Sequence, residues 1–175
     1  MMKKTLLLAS AAVVAMGFNA AEASMNVTPY VGLDYVYSNM DMKHGNSHRL
    51  EDKFNSLSAN VGAKFHPNFG IEAYYQQSDT EKKHGNQSRF FSYGADLMGY
   101  LPVTQNLELI GSLGIGQYEF RAGGSEDDLG YRIGLGAQYN LSQNWAVRGI
   151  VREVFLDKDV MGDTTEFSAG IRYSF

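Results

Sequence analysis

The last twelve residues, Thr164 to Phe175, alternate apolar with polar or small side chains without a break. Successive side chains of an extended strand face opposite sides of a sheet, so this period of two describes a strand with two unlike faces. Thr165, Phe167, Ala169, Ile171, Tyr173 and Phe175 share one face. Glu166, Ser168, Gly170, Arg172 and Ser174 share the other. A soluble sandwich would turn the first face onto a partner sheet and the second to water. A barrel in a membrane would turn the first face to lipid and the second to its interior.

The same period recurs in seven earlier stretches: 30–37, 56–65, 69–76, 91–101, 107–116, 131–139 and 145–152. In each, the odd-numbered residues carry the apolar side, as in Leu57, Ala59, Val61, Ala63 and Phe65 against Ser56, Ser58, Asn60, Gly62 and Lys64. Eight strands of alternating character predict an all-β chain folded as an antiparallel up-and-down barrel. In the seventh strand Glu153 follows on the apolar side. That predicts that the strand has left the bilayer there or bulges.

Residues 1–23 read differently. Lys3 and Lys4 precede an apolar run from Leu6 to about Met16, and Ala21-Glu22-Ala23 follows. This layout is that of a cleavable export signal with cleavage after Ala23, leaving residues 24–175 as one domain. The apolar run is shorter than the roughly 20 residues that a spanning helix requires. With no cysteine in the chain, neither a lipid-modified cysteine nor a disulfide framework is available. Removing 1–23 takes away two Lys and one Glu, which leaves 13 basic and 18 acidic residues and a formal charge of −5. Mild acidity argues against a nucleic-acid partner, which favours a basic face. Mean hydropathy is negative, yet barrel strands cancel in such averages because their two faces alternate.

Ser168, Gly170, Tyr173 and Phe175 match a polar-x-Gly-x-x-aromatic-x-aromatic ending. By that ending and by the strand pattern, residues 24–175 resemble the small outer-membrane β-barrel family that includes the OmpA transmembrane domain, OmpX and the opacity-like surface proteins. The resemblance implies that the ending is a signal read by the barrel-assembly machinery, after passage through the export translocon. It implies a monomer in the Gram-negative outer membrane, among lipid and lipopolysaccharide. The family's common roles, envelope integrity and adhesion or contact with a host or surface ligand, come with it. The chain departs from full-length OmpA-type proteins in stopping at Phe175, without a peptidoglycan-binding domain.

Connection lengths alternate accordingly. His66-Pro67-Asn68, Pro102 to Asn106 and Leu141 to Asn144 are short turns; Asn39 to Lys53, Asp79 to Gln87, Arg121 to Asp128 and Leu156 to Asp163 are longer and polar. Outer-membrane barrels keep short turns in the periplasm and long loops outside, so both termini are expected in the periplasm. Aromatics on the apolar side sort to both ends. Phe65, Phe69, Tyr139, Trp145, Tyr173 and Phe175 lie near the short turns, and Tyr35, Tyr37, Tyr75, Phe91, Tyr93, Tyr131 and Phe167 near the long loops. Two rings of amphipathic side chains at the interfaces are what a bilayer selects.

On the opposite side stand Asp34, Glu72, Asp96 and Glu108 against Lys64, Arg132, Arg148, Arg152 and Arg172. The interior of an eight-stranded barrel is just wide enough for side chains to fill. These charges are therefore expected to pair in a closed lumen, since isolated buried charges are costly. A narrow pore for small solutes is the alternative reading. A lipid-modifying enzyme is a second, because some small outer-membrane barrels modify lipid A with His and Ser near the rim. All four histidines, His44, His48, His66 and His84, fall in loops or at a turn, and none is followed two positions on by Ser. No nucleophile, base, metal set or cofactor motif is proposed by these residues, so the expectation is a non-enzyme without cofactor. Glu119, Glu126, Asp127, Asp128, Asp157, Asp159 and Asp163 give the outer loops acidic clusters that read as solvated rather than as a cation site. Lys43-His44-Gly45-Asn46 and Lys83-His84-Gly85-Asn86 repeat as similar loop tips with turn-forming residues.

Overall fold

The computed structural model describes residues 27–40, 53–78, 81–83, 86–121, 125–156 and 164–175. Residues 1–23, expected to be an export signal, with Ala21 and Ala23, lie outside them, as do His44, His48, His84, Asp157, Asp159 and Asp163. Nine strands follow in order: β1 Thr28–Met40, β2 Lys53–His66, β3 Phe69–Ser78, β4 Glu81–Lys83, β5 Asn86–Pro102, β6 Leu107–Arg121, β7 Ser125–Asn140, β8 Trp145–Leu156 and β9 Thr164–Ser174. Eight of them form the wall. Each pairs antiparallel with its sequence neighbour, β3 pairs with β5, and β9 pairs with β1 from Met40↔Thr164 to Tyr30↔Ser174. The three-residue β4 pairs with Asn86 to Ser88 of β5. The result is a closed eight-stranded antiparallel barrel.

Alternation sets which face each residue takes. Leu135 is 73% exposed, and Leu33, Leu57, Ile71, Leu97, Leu113, Ile133 and Ile171 are all exposed on the outer wall. Asp34, Glu72, Asp96, Arg132, Arg148, Arg152 and Arg172 are buried inside. This inversion of the soluble rule leaves a band of aliphatic side chains for a solvent that is itself apolar. Aromatics meet across strands at both rims of the band. Tyr75 stands opposite Tyr93 and Tyr37 opposite Phe167 towards the long connections. Trp145 and Tyr173 make an edge contact at 5.0 Å at the other end.

The short connections are built by local hydrogen bonds. Thr104 Oγ1 accepts from the Leu107 amide at 3.0 Å, and Ser142 Oγ accepts from the Trp145 amide at 3.1 Å. The two turns are closed further by Val103 N to Leu107 O and Leu141 N to Trp145 O, both 2.8 Å. Asn68 Nδ2 donates to Tyr100 O at 2.8 Å and ties the first turn to β5.

Two expectations are corrected. Of the two readings of Glu153, the bulge is overturned: the irregularity lies at Phe65, where the β2–β3 register shifts between Lys64 and His66. Glu153 stays in register between Ile133 and Thr165, and Thr165 Oγ1 donates to its carboxylate at 2.9 Å, so the strand tolerates it without a bulge. The second concerns 121–128. Pairing of β6 with β7 runs out to Arg121↔Ser125, so Glu126, Asp127 and Asp128 occupy strand positions rather than a loop. Backbone pairing continues there although both faces have turned polar, and a polar stretch carries no period for sequence to report.

Placing a charge in the middle of the outer band tests the assignment of faces. Leu135→Arg is expected to destabilise the barrel by about 2–4 kcal/mol in lipid vesicles. Reversible denaturant unfolding followed by tryptophan emission measures it, and an unchanged midpoint would contradict a lipid-facing wall.

Candidate functional site

The lumen concentrates the chain's buried chemistry. Large inward side chains fit because glycines face them from neighbouring strands. A Cβ on Gly114 would collide with the Asp96 carboxylate, one on Gly170 with Asp34, and one on Gly116 with the Tyr74 hydroxyl. Inward glycine thus trades side-chain volume for the room that a carboxylate or ring across the strand requires.

Towards the short turns, three cations meet three carboxylates. Lys64 Nζ donates to both Glu108 oxygens, at 2.8 and 2.9 Å, and Gln138 Nε2 donates to Glu108 Oε2 at 3.0 Å. Arg172 donates to Gln138 Oε1 at 2.9 Å, to the Tyr100 hydroxyl at 3.0 Å and to Glu72 Oε2 at 2.7 Å. Its guanidinium also covers the Tyr30 ring at 3.9 Å. Arg148 is clamped between two carboxylates. It reaches Asp34 through Nε at 3.1 Å and Glu72 through both terminal nitrogens, at 2.7 and 3.0 Å. Asn60 Nδ2 holds Asp34 Oδ2 from the other side at 2.9 Å. Bidentate, charge-assisted bonds of this kind supply geometry as well as energy.

Towards the long connections, a second cluster is also neutral. Arg132 forms a two-pronged pair with Asp96, its Nε donating at 2.6 Å, and stacks over the Tyr74 ring at 3.4 Å. Arg152 Nη2 lies 3.8 Å from the same Asp96, and its Nη1 donates to Ser168 Oγ at 3.1 Å. Glu166 completes the balance, 4.0 Å from Arg132 and accepting from Gln76 at 3.3 Å and Ser38 at 3.4 Å. Above it, buried Phe54, Tyr118 and Val154, with Leu156 packed on them, cap the interior with apolar surface.

All nine charged residues read from the sequence thus point inward, and the structure sorts them into two groups. Glu166 was left out of that set although it stands on the polar side of the last strand; the parity of its position was the available signal. Tyr30, Tyr74 and Tyr100 stand at even positions, where parity places them inside, and all three are buried; Tyr118 lies beyond the fifth alternating stretch, 107–116, and only the longer β6 brings it into the lumen. Tyr30 and Tyr100 hydroxyls lie 3.3 Å apart, and those of Tyr74 and Tyr118 3.4 Å. Of the terminal motif, Ser168 donates to Ile150 O at 3.1 Å and Gly170 makes room for Asp34, both inside. Tyr173 and Phe175 lie on the outer side, with ring centroids 5.2 Å apart. Among the described residues no group of three or more His, Asp or Glu could hold a metal ion.

A family model described as outer membrane protein beta-barrel domain matches residues 6–175. The chain belongs to this family. It is therefore an integral outer-membrane β-barrel protein. Similar solved structures include the attachment invasion locus protein Ail of Yersinia pestis in complex with the heparin analogue sucrose octasulfate, at 18% identity and TM-score 0.63, covering 86% of this chain and 100% of that one. Neisserial surface protein A shares 18% identity over 84% of this chain and 97% of that one, with TM-score 0.67. The N-terminal barrel domain of Pseudomonas aeruginosa OprF shares 11% over 83% and 97%, with TM-score 0.59. At these identities the likeness is one of fold. A comparison with curated proteins finds no match.

Arg148 ties Asp34 on β1 to Glu72 on β3. Arg148→Met is expected to cost about 3–5 kcal/mol, because it leaves two buried carboxylates without their shared cation. The double change Arg148→Met, Asp34→Asn, which keeps Glu72 for Arg172 and leaves the cluster two against two, is expected to recover part of that loss. Denaturant unfolding of the folded barrel in micelles measures both, and a neutral Arg148→Met would show that the clamp is not formed.

Proposed function

We propose that this outer-membrane barrel serves as a structural and surface-interaction element, adhesin-like in kind, with a closed interior and its outer connections as the contact surface. The observation that carries this reading is the filled lumen: two self-neutral charge clusters beneath an apolar cap occupy the described interior with buried side chains. A pore of the porin kind needs about 16 strands. The complex of the Yersinia barrel with the heparin analogue sucrose octasulfate supports ligand contact as a mode available to this fold, without assigning that ligand here. The protein acts as a monomer without enzymatic activity or cofactor, surrounded by lipid and lipopolysaccharide.

In this reading residues 1–23 are removed on passage through the export translocon, so intact mass of the outer-membrane form is expected to start at Ser24. The short turns and both termini then face the periplasm, and the long connections face outward. Ser168, Gly170, Tyr173 and Phe175 act as the ending recognised by the barrel-assembly machinery. Removing Phe175 is expected to lower the folded, heat-modifiable fraction in the outer membrane severalfold while the unfolded form accumulates; equal assembly would remove that role.

Function is tested with a deletion strain complemented by the wild-type chain or by one whose connection 157–163 is replaced with Gly and Ser. Loss of surface attachment on deletion, restored by the wild-type chain alone, supports a contact role. Detergent resistance lost on deletion and restored by both chains supports an envelope role. A deletion that changes neither would overturn the proposal. Planar-bilayer recording of the purified barrel is expected to show no discrete conductance; a stable open level would favour the pore.

A further inference from the structure

We infer that the short-turn end of the barrel carries a binding site for a small oxyanion, a carboxylate or a phosphate. A cavity of about 560 Å³ opens there, within the range that seats small-molecule ligands. Its walls differ in charge from the rest of the molecule. The chain has 19 acidic against 15 basic residues, yet no Asp or Glu lines this cavity, whereas Lys64 and Arg172 do. The other polar side chains lining it are all carboxamides or hydroxyls, among them Gln105, Asn140, Gln143 and Ser142.

Donors are left over in this wall. Arg172 is 1% exposed, and its Nε–H has no acceptor. Lys64, partly open to the cavity, gives two N–H donors to Glu108 and lies over the Tyr100 ring at 3.9 Å, so it contributes charge to the wall. Ser142 Oγ accepts from the Asn144 and Trp145 amides, which leaves its own O–H to donate outward. Glu108 and Glu72 neutralise the two cations from behind, so recognition rests on several directed hydrogen bonds rather than on bulk charge. That favours an oxyanion, which offers several acceptors at once, over a halide.

The site is tested on the mature chain folded in detergent micelles, by amide NMR shifts during titration with inorganic phosphate, with succinate and with uncharged sucrose at matched ionic strength. Saturable shifts confined to the short-turn end with phosphate or succinate, and none with sucrose, are expected. The tighter of the two anions names the source class. Added salt should weaken the binding. Gln105→Glu and Gln143→Glu, at exposed turn positions, bring a negative charge to the mouth and should weaken binding about tenfold each, with folded gel mobility unchanged. The proposal is overturned by the absence of saturable shifts with both anions, by equal shifts with sucrose, or by unchanged affinity in both glutamate variants.

Discussion

The hydrocarbon core of a bilayer contains no water to satisfy a backbone N–H or C=O, so a β-chain crosses it only if its first and last strands find one another. Here β1 and β9 do so along their length, from Met40↔Thr164 to Tyr30↔Ser174. The last amide of the chain continues the closure, Phe175 N donating to Pro29 O at 3.0 Å. Without that seam two edges would lie open in lipid, each a row of unsatisfied polar groups. The outer band of Leu, Ile and Val and the two aromatic rims follow from closure, because they are the only surface that the lipid then meets.

Closure with eight strands has a second consequence inside. The interior is too narrow for a water-filled channel and too long to be filled by apolar side chains that alternate with an apolar exterior. Polar and charged residues fill it, and burial forces their charges to cancel locally. The two clusters each balance, three against three around Glu72 and two against two around Asp96. Isolated cations in the same places would carry a desolvation penalty that no single hydrogen bond offsets. Glycines such as Gly114 and Gly170 take part in this balance by leaving space for the carboxylate on the adjoining strand.

A closed interior moves activity to the ends. The long-connection end carries the β6–β7 hairpin, paired out to Arg121↔Ser125, and the short-turn end presents a cavity without acidic lining. Glu126, Asp127 and Asp128 belong to paired backbone rather than to a loop, so the proposed contact surface includes a strand ladder.

The sequence by itself determined the strand number, the direction of every side chain in the wall and the sign of the charges within, since all three follow from a period of two and from what each face must meet. Tertiary structure alone decided which charges pair. Asp34, Glu72 and Arg148 lie on three different strands, and only the curvature and stagger of the closed wall bring them to one point. It likewise decided that Phe65 bulges while Glu153 does not, because a bulge depends on the register with the neighbouring strand, and a carboxylate on the outer face is tolerated once a neighbour such as Thr165 donates to it.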